Sequence, residues 1–429
     1  MLKPIDLEVY TPLDYWRTEA AYPPEGTEER FQRFQTYRDL SRGALDAILP
    51  DWLKNANPVQ TNYFHTVADL RAKFLLSQPP EAASVEEALL NEAVDATFDV
   101  IYDYTRYGTG LFHVYIGEDE QPHIQALDPR FWFPAQDGGE AIAMEDDDWY
   151  DVWLFYPEET LFTRYERENS DRRLGKVLET QTFTPFQAGT IPVFNCGGRP
   201  RDGVWGFSIY PSIAPHVAEI TTIDSRISDI HQRQATPFYA IEGGDPESAA
   251  NVEETLTGRT MAEIGDYDVV DTDGTFHNRR AAAFEHQRLT GYVLPVDGTI
   301  KAVPTNADTA DMREQVDKLA NRLYVLSATP VNFLGNQDGM ASGAVSGETI
   351  RRGNAYAETT LLQIQDDVSK CLEAALRLAT SNDSVTVEWE NPFEELDRGQ
   401  TPGAVAAEVM AEAMGADDEW GRLRAGTSD

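Results

Sequence analysis

The chain has 429 residues, 41% of them hydrophobic and 10% aromatic, enough apolar material for cores, which excludes a disordered chain. Acidic residues number 73 against 35 basic ones, a net charge of −38. That balance lacks the basic footprint of a sequence-specific nucleic-acid binder, so a duplex partner would be one that slides past the chain. Lysine is confined to Lys3, Lys54, Lys73, Lys176, Lys301, Lys318 and Lys370. Acid-rich, lysine-poor surfaces suit concentrated salt, where the screening length falls from about 8 Å to about 3 Å, and a halophilic host is expected. Cys196 and Cys371 predict neither a disulfide framework nor a cysteine zinc site. No apolar run approaches the roughly 20 residues of a membrane span. Met1–Tyr10 carries no apolar h-region of a signal peptide. The expected setting is the cytoplasm or a particle assembled there.

In chain order, Glu28–Leu49 reads as one or two short helices. Asn62–Leu76 is a helix with Phe64, Val67, Leu70, Phe74 and Leu75 at helical spacing, ended by Gln78-Pro79-Pro80. Ser84, with Glu87 three residues on, reads as a capping box opening a helix to Tyr107, and Gly108 is its stop. Strands follow at Gly110–Ile116, Gln121–Leu127, Phe131–Pro134, Trp149–Tyr156, Thr160–Tyr165, Lys176–Thr182 and Ile191–Asn195, with a turn at Asp137-Gly138-Gly139. The region is α+β and mostly antiparallel.

Residues 208–235 change character: Ile209, Ile213, Val217, Ile220, Ile223, Ile227 and Ile230 recur every three or four positions. Such a helix spans roughly 39 Å, with Pro211 and Pro215 near its start. Phe238–Ile241, Asp268–Asp271 and Tyr292–Pro295 are strand-like, and a short helix fits Pro246–Leu256. A second long helix begins at Asp308, with Met312, Val316, Leu319, Ala320, Leu323 and Leu326 as its stripe and Pro330 as its end. A glycine-rich stretch precedes a third long helix, Gly347–Thr380, striped by Ala357, Leu361, Ile364, Val368, Leu372, Ala375 and Ala379. A strand, Val385–Trp389, and a small Ala/Met-rich tail helix close the chain.

No stretch carries the pattern of an active site. The glycine-rich stretch lacks the Gly-Lys-Ser/Thr ending of a phosphate loop, and Ser342 misses the Gly-x-Ser-x-Gly elbow by one position. His216 and His231 share a helix but lie four turns apart, too far to share a metal. Glu145–Asp148 matches no calcium loop and reads as a solvated turn. The pairs Arg172-Arg173, Arg199/Arg201, Arg279-Arg280 and Arg351-Arg352 suit carboxylates or phosphates.

Five stretches, in this order, resemble the portal (head–tail connector) family of tailed double-stranded DNA viruses. They are Asn62–Val67 running on to Leu76-Ser77-Gln78-Pro79, Tyr104–Gly110, Leu127–Pro134, Ile191–Asn195 with Gly206–Tyr210, and Leu326–Pro330 with Ala341-Ser342-Gly343. Gly343-Ala344-Val345-Ser346 departs from the family's commoner Ser-Gly-x-Ala-Leu. The resemblance implies a wing at 1–207 and 347–392, stem helices at 208–235 and 307–328 and a small β-rich clip at 236–306. It also implies a tunnel loop at 329–346 and a short helical crown at 393–429. In the tunnel loop Asn332, Gly335, Asn336, Gln337, Asp338, Gly339, Met340, Ser342 and Gly343 would gate DNA. In the clip Asp266, Asp268, Asp271, Asp273, Arg279 and Arg280 would meet terminase or adaptor. The implied partners are further copies in a dodecameric ring, double-stranded DNA in its channel, terminase, the major capsid protein and a neck protein. No cofactor, metal, catalytic residue or membrane is implied, and the implied location is the capsid vertex of the virion. Two other readings stay open: another head–tail structural protein, such as an adaptor or minor capsid protein, or a metal-dependent hydrolase or nuclease.

Overall fold

The computed structural model describes residues 11–393, apart from 12, 18–21, 25, 55–57, 118, 136–138, 169–172, 185–189, 198–204, 236–237, 243–268, 271–275, 278–298, 304–308 and 330–346. The chain divides into two compact units, Met1–Asp224 with Glu314–Asp429, and Ser225–Arg313.

The first unit opens on a 3₁₀ turn, Leu13–Arg17, and helix α1, Glu28–Ser41. Gly43, with φ +90°, ends α1: its amide and that of Ala44 reach back to the carbonyls of Leu40 and Asp39. Helix α2 is Asp51–Lys54, and α3 is Tyr63–Leu75, capped by the Asn62 side chain on the amide of His65. The buried face of α3 is Phe64, Val67, Ala68, Arg71, Ala72, Phe74 and Leu75, so an arginine holds a core position and Leu70 is only half-buried. Strand β1 is Glu81–Ala82, and α4 is Glu87–Tyr107. Ser84 is not the cap of α4. It sits at φ +66° in the turn after β1, because pairing of β1 with β14 (Val387–Glu388) holds the chain extended up to that point. Glu86 occupies the cap position without a side-chain bond.

Two antiparallel sheets follow. Strands β2 (Leu111–Ile116), β3 (Pro122–Ala126) and β9 (Val193–Asn195) form one, in the order β3-β2-β9. The other runs β4-β5-β6-β7-β8: Trp132–Pro134, Glu140–Glu145, Trp149–Phe155, Thr160–Glu168 and Arg173–Phe183. Strand β5 has no counterpart in the sequence reading. Glu-Ala-Ile-Ala-Met-Glu is weak in β-branched residues, and its pairing on both edges with β4 and β6 makes it a strand. Along β6 the buried Tyr150, Val152 and Leu154 alternate with Asp151 and Trp153, as one covered face requires. Asp151 faces Arg164 across the ladder, and both of its oxygens accept from the guanidinium, at 2.7 and 2.8 Å.

Helix α5 is Tyr210–Ala235, α6 is Ala310–Leu326 and α7 is Gly347–Thr380. The α7 stripe is buried along its length, with Leu361, Val368, Leu372 and Ala375 at 0% exposure. It packs with Ala93, Val100 and Ile101 of α4 and with Phe112, Val114 and Ile124 of the smaller sheet, making one core. Trimming such a leucine to alanine costs about 2–5 kcal/mol. A second, aromatic core lies on the five-stranded sheet and joins Trp16, Tyr22, Phe133 and Tyr150. Tyr22 donates from its hydroxyl to the carbonyl of Ala143, and Tyr165 to that of Trp16.

In the second unit, β10 (Phe238–Glu242) pairs antiparallel with β13 (Thr299–Val303), and β11 (Val269–Val270) with β12 (Phe276–His277). His231 of α5 faces Thr309 Oγ1 at 3.5 Å and Arg313 at 3.3 Å. The expected strand at Tyr292–Pro295, the helix at Pro246–Leu256 and the tail helix lie outside the described residues.

Candidate functional site at the root of the two long helices

The first unit holds the root of α5 on the end of α4. Gly108 closes α4 at φ +82°, and a Cβ there would lie 2.5 Å from backbone atoms of Gly206 and Phe207. Only glycine allows so close a crossing. The crossing segment is then tied down. Gly206 N donates to Thr109 Oγ1 (3.0 Å), Ser208 Oγ to the carbonyl of Arg106 (2.5 Å) and Ile209 N to that of Thr105 (3.4 Å). Tyr210, the first residue of α5, is fully buried and its hydroxyl donates to the carbonyl of Phe64 (3.1 Å). Trp205 packs edge-on against Trp132 and Phe34, with ring centroids 4.9 and 5.5 Å away.

Arginines cluster beneath this crossing. Arg106 pairs with Asp103, and Arg130 with Asp128 at 2.9 Å. Arg30 lies 4.3 Å over the Trp205 ring and donates to the carbonyls of Pro129 and Trp132. Burial pulls its guanidinium down to about 9.

Helix α6 returns at the same place. Thr329 N donates to Tyr324 O (3.0 Å) and Ala328 N to Val325 O (3.1 Å), the paired bonds of a left-handed helix end, with Ala328 at φ +49°. Ser327, Ala328 and Thr329 are all buried, and Ser327 Oγ meets Thr329 Oγ1 at 2.8 Å. The Arg71 guanidinium donates to the carbonyl of Ser327. Along the helices themselves, Gln315 donates to Glu219 at 3.0 Å. Of the α6 stripe only Leu319 and Leu323 are buried; Met312 and Val316 are half-covered and Leu326 is 37% exposed.

The sequence-predicted site residues fall elsewhere. Asn332, Gly335, Asn336, Gln337, Asp338, Gly339, Met340, Ser342 and Gly343 lie outside the described residues, as do Asp266, Asp268, Asp271, Asp273, Arg279 and Arg280. The structure describes the ground on either side of the first set, the anchored end of α6 at Thr329 and helix α7 from Gly347. Arg71 was missed as a residue of interest. The available clue was its register: Phe64, Val67, Arg71, Phe74 places an arginine on the apolar stripe. Among the described residues no group of three or more His, Cys, Asp and Glu could hold a metal ion. Cys196 and Cys371 are both free thiols. Among the described residues no helix is long and apolar enough to cross a membrane.

No family model matches the chain, and no curated protein matches it by sequence. Solved structures do. The chain is similar to one in the virion of a native gene transfer agent particle, at 15% identity over 97% of this chain and 95% of that one, with a TM-score of 0.48. It is similar to one in the neck of the empty gene transfer agent particle, computed with C6 symmetry, at 13% identity over 97% and 95%, TM-score 0.46. It is also similar to an HK97-family phage portal protein from Corynebacterium diphtheriae, at 10% identity over 80% of this chain and 99% of that one, TM-score 0.35. A phage portal protein, of the family that the sequence resembles, is therefore among its structural neighbours.

Proposed function

We propose that the chain is a portal subunit. Copies of it close into a ring, dodecameric in the reading given above, at one vertex of a viral capsid, and double-stranded DNA passes through the ring during packaging and ejection. The observation that carries this reading is the order of the chain. A sheet-and-helix body leads into a long helix, α5, then into a separate compact unit at Ser225–Arg313 bearing β10–β13, and back through a second long helix, α6, to the same body. That order supports the wing, stem, clip, stem and wing layout that the five sequence stretches imply.

Closure into a ring has a physical motive. A single subunit leaves Phe207 69% exposed, Val325 57% and Leu326 37%, all at the helix roots. A head-to-tail neighbour would cover such surface, and repetition of one heterologous contact closes a ring. The clip would face terminase and later a neck or adaptor protein, the wing the major capsid protein, and loop 329–346 the channel. The subunit itself would catalyse nothing. An acidic channel wall would offer the DNA phosphates no deep minimum, so the duplex would slide. The net charge of −38 and the scarcity of lysine support a salt-adapted host.

The test is negative-stain electron microscopy with mass determination of the purified chain in molar salt. Rings with a central hole and a mass near twelve subunits are expected. A compact monomer that cleaves DNA with Mg²⁺ or Mn²⁺ would overturn the reading in favour of a nuclease.

A further inference from the structure

Among the described residues Arg71, like Arg30, is a buried arginine with no carboxylate paired to it. It is 4% exposed on the inner face of α3. It donates to the carbonyl of Ser327, while its Nε has no hydrogen-bond partner among the described residues. No carboxylate among the described residues pairs with it; the groups that act on its charge are Tyr356, Tyr104 and Tyr210. Burial accordingly pulls the guanidinium down to about 10. Two other buried arginines have a carboxylate, and Arg30 has none but is covered by a ring; Arg30 Nη2 and Arg106 Nε also lack a hydrogen-bond partner among the described residues. Arg106 has Asp103, Arg130 has Asp128, and Arg30 has two carbonyls and the Trp205 ring. A buried charge without a counter-charge is costly, and one with an unused donor more so.

Arg71 also lines a cavity of about 350 Å³, together with Tyr104, Phe207, Tyr356, Thr360 and Gln363. The lining reaches the surface at Phe207 and Tyr356, 69% and 61% exposed. The cavity therefore joins a recessed guanidinium to solvent through an aromatic rim. We propose that this cavity is a carboxylate-binding site, in which Arg71 receives either an Asp or Glu side chain of a second copy of the chain or a small carboxylate from solution. The planar guanidinium fork matches a carboxylate, and the buried Nε has no hydrogen-bond partner among the described residues. With 73 acidic residues, a neighbouring copy has carboxylates in abundance. A DNA phosphate fits less well: the duplex would have to press against a strongly acidic chain to reach a recessed group. The side-chain source rests on the ring reading, and the solution source does not.

The experiment separates these. The full chain, with Arg71→Met and Thr360→Glu variants, is melted in sodium chloride and in sodium acetate at matched ionic strength, and its association is followed by sedimentation velocity. A solution source predicts that acetate raises the melting temperature of the wild type, and that the rise is lost in both variants. A neighbouring source predicts no acetate effect, with both variants sedimenting as smaller species than the wild type while keeping its circular dichroism. Thr360→Glu supplies a carboxylate inside the cavity, so it decides the matter should Arg71→Met not fold. The proposal is overturned if the wild type shows no acetate effect and neither variant changes sedimentation, or if an acetate effect persists unchanged in the variants. If the wild type is a single chain throughout, the ring reading fails by itself, and the acetate measurement alone decides the site.

Discussion

Replacing Gly108 by alanine should loosen the root of α5 from the end of α4, and its cost can be divided into two parts. Gly108 has φ +82°, where an L-residue costs about 1–2 kcal/mol. The added Cβ would also stand 2.5 Å from three backbone atoms of Gly206 and Phe207. These are main-chain atoms, held by the Gly206–Thr109 and Ser208–Arg106 hydrogen bonds, so they cannot swing aside as a side chain would. Overpacking of that kind costs about 1–3 kcal/mol, for a total of about 2–5 kcal/mol. Gly43 supplies the control. It has φ +90°, but a Cβ there would meet only the Asn62 amide at 3.6 Å, an ordinary contact. Gly43→Ala should therefore cost the conformational part alone, about 1–2 kcal/mol. Any gain from stiffening the unfolded chain is common to both variants. The assay is urea unfolding in constant molar salt, followed by tryptophan fluorescence, since Trp205 lies one residue before the crossing. Equal destabilisation of the two variants, within about 0.5 kcal/mol, the tolerance for independent sites, would refute the close crossing as the reason for Gly108.

Three further outcomes are expected. Glu140 is held by burial at about 7, up from 4.5, with Trp132 Nε1 donating to it at 2.7 Å and no cation paired with it among the described residues. A carboxyl raised in the folded state costs nothing below the unfolded value, and its penalty grows from pH 4.5 to a plateau above pH 7, reaching about 3 kcal/mol. Glu140→Gln should thus stabilise the chain at pH 8 and leave it nearly unchanged at pH 4, as thermal melts at the two pH values will show; equal shifts at both would contradict the titration. Rings assembled in molar salt should loosen on dilution into about 50 mM salt, because the carboxylates of adjoining subunits are then unscreened; rings that sediment unchanged would count against salt adaptation. Stiffening Gly339 and Gly343 by alanine substitution should lower the amount of DNA packaged while ring assembly persists, and a normal DNA yield would remove the gating role from that loop.

Sequence and tertiary structure each decided different things here. Helix α7, Gly347–Thr380, was legible because a long stripe with a period near 3.6 leaves one way to bury it. The start of α3 and the end of α4 were legible because Asn62 and Gly108 act locally, through a cap and a left-handed turn. The two long helices α5 and α6 were legible for the same reason, since amphipathic period and turn residues depend on neighbours along the chain. Strand β5 was not legible, because its pairing comes from β4 and β6 and its own side chains prefer it weakly. Ser84 was misread as a cap because β1 pairs with a strand some three hundred residues later in the chain. The close crossing of Gly108 by Gly206 and the isolation of Arg71 belong to tertiary structure alone. Sequence reports that an arginine lies on an apolar stripe; whether a carboxylate answers it depends on which distant segments the fold brings to that stripe.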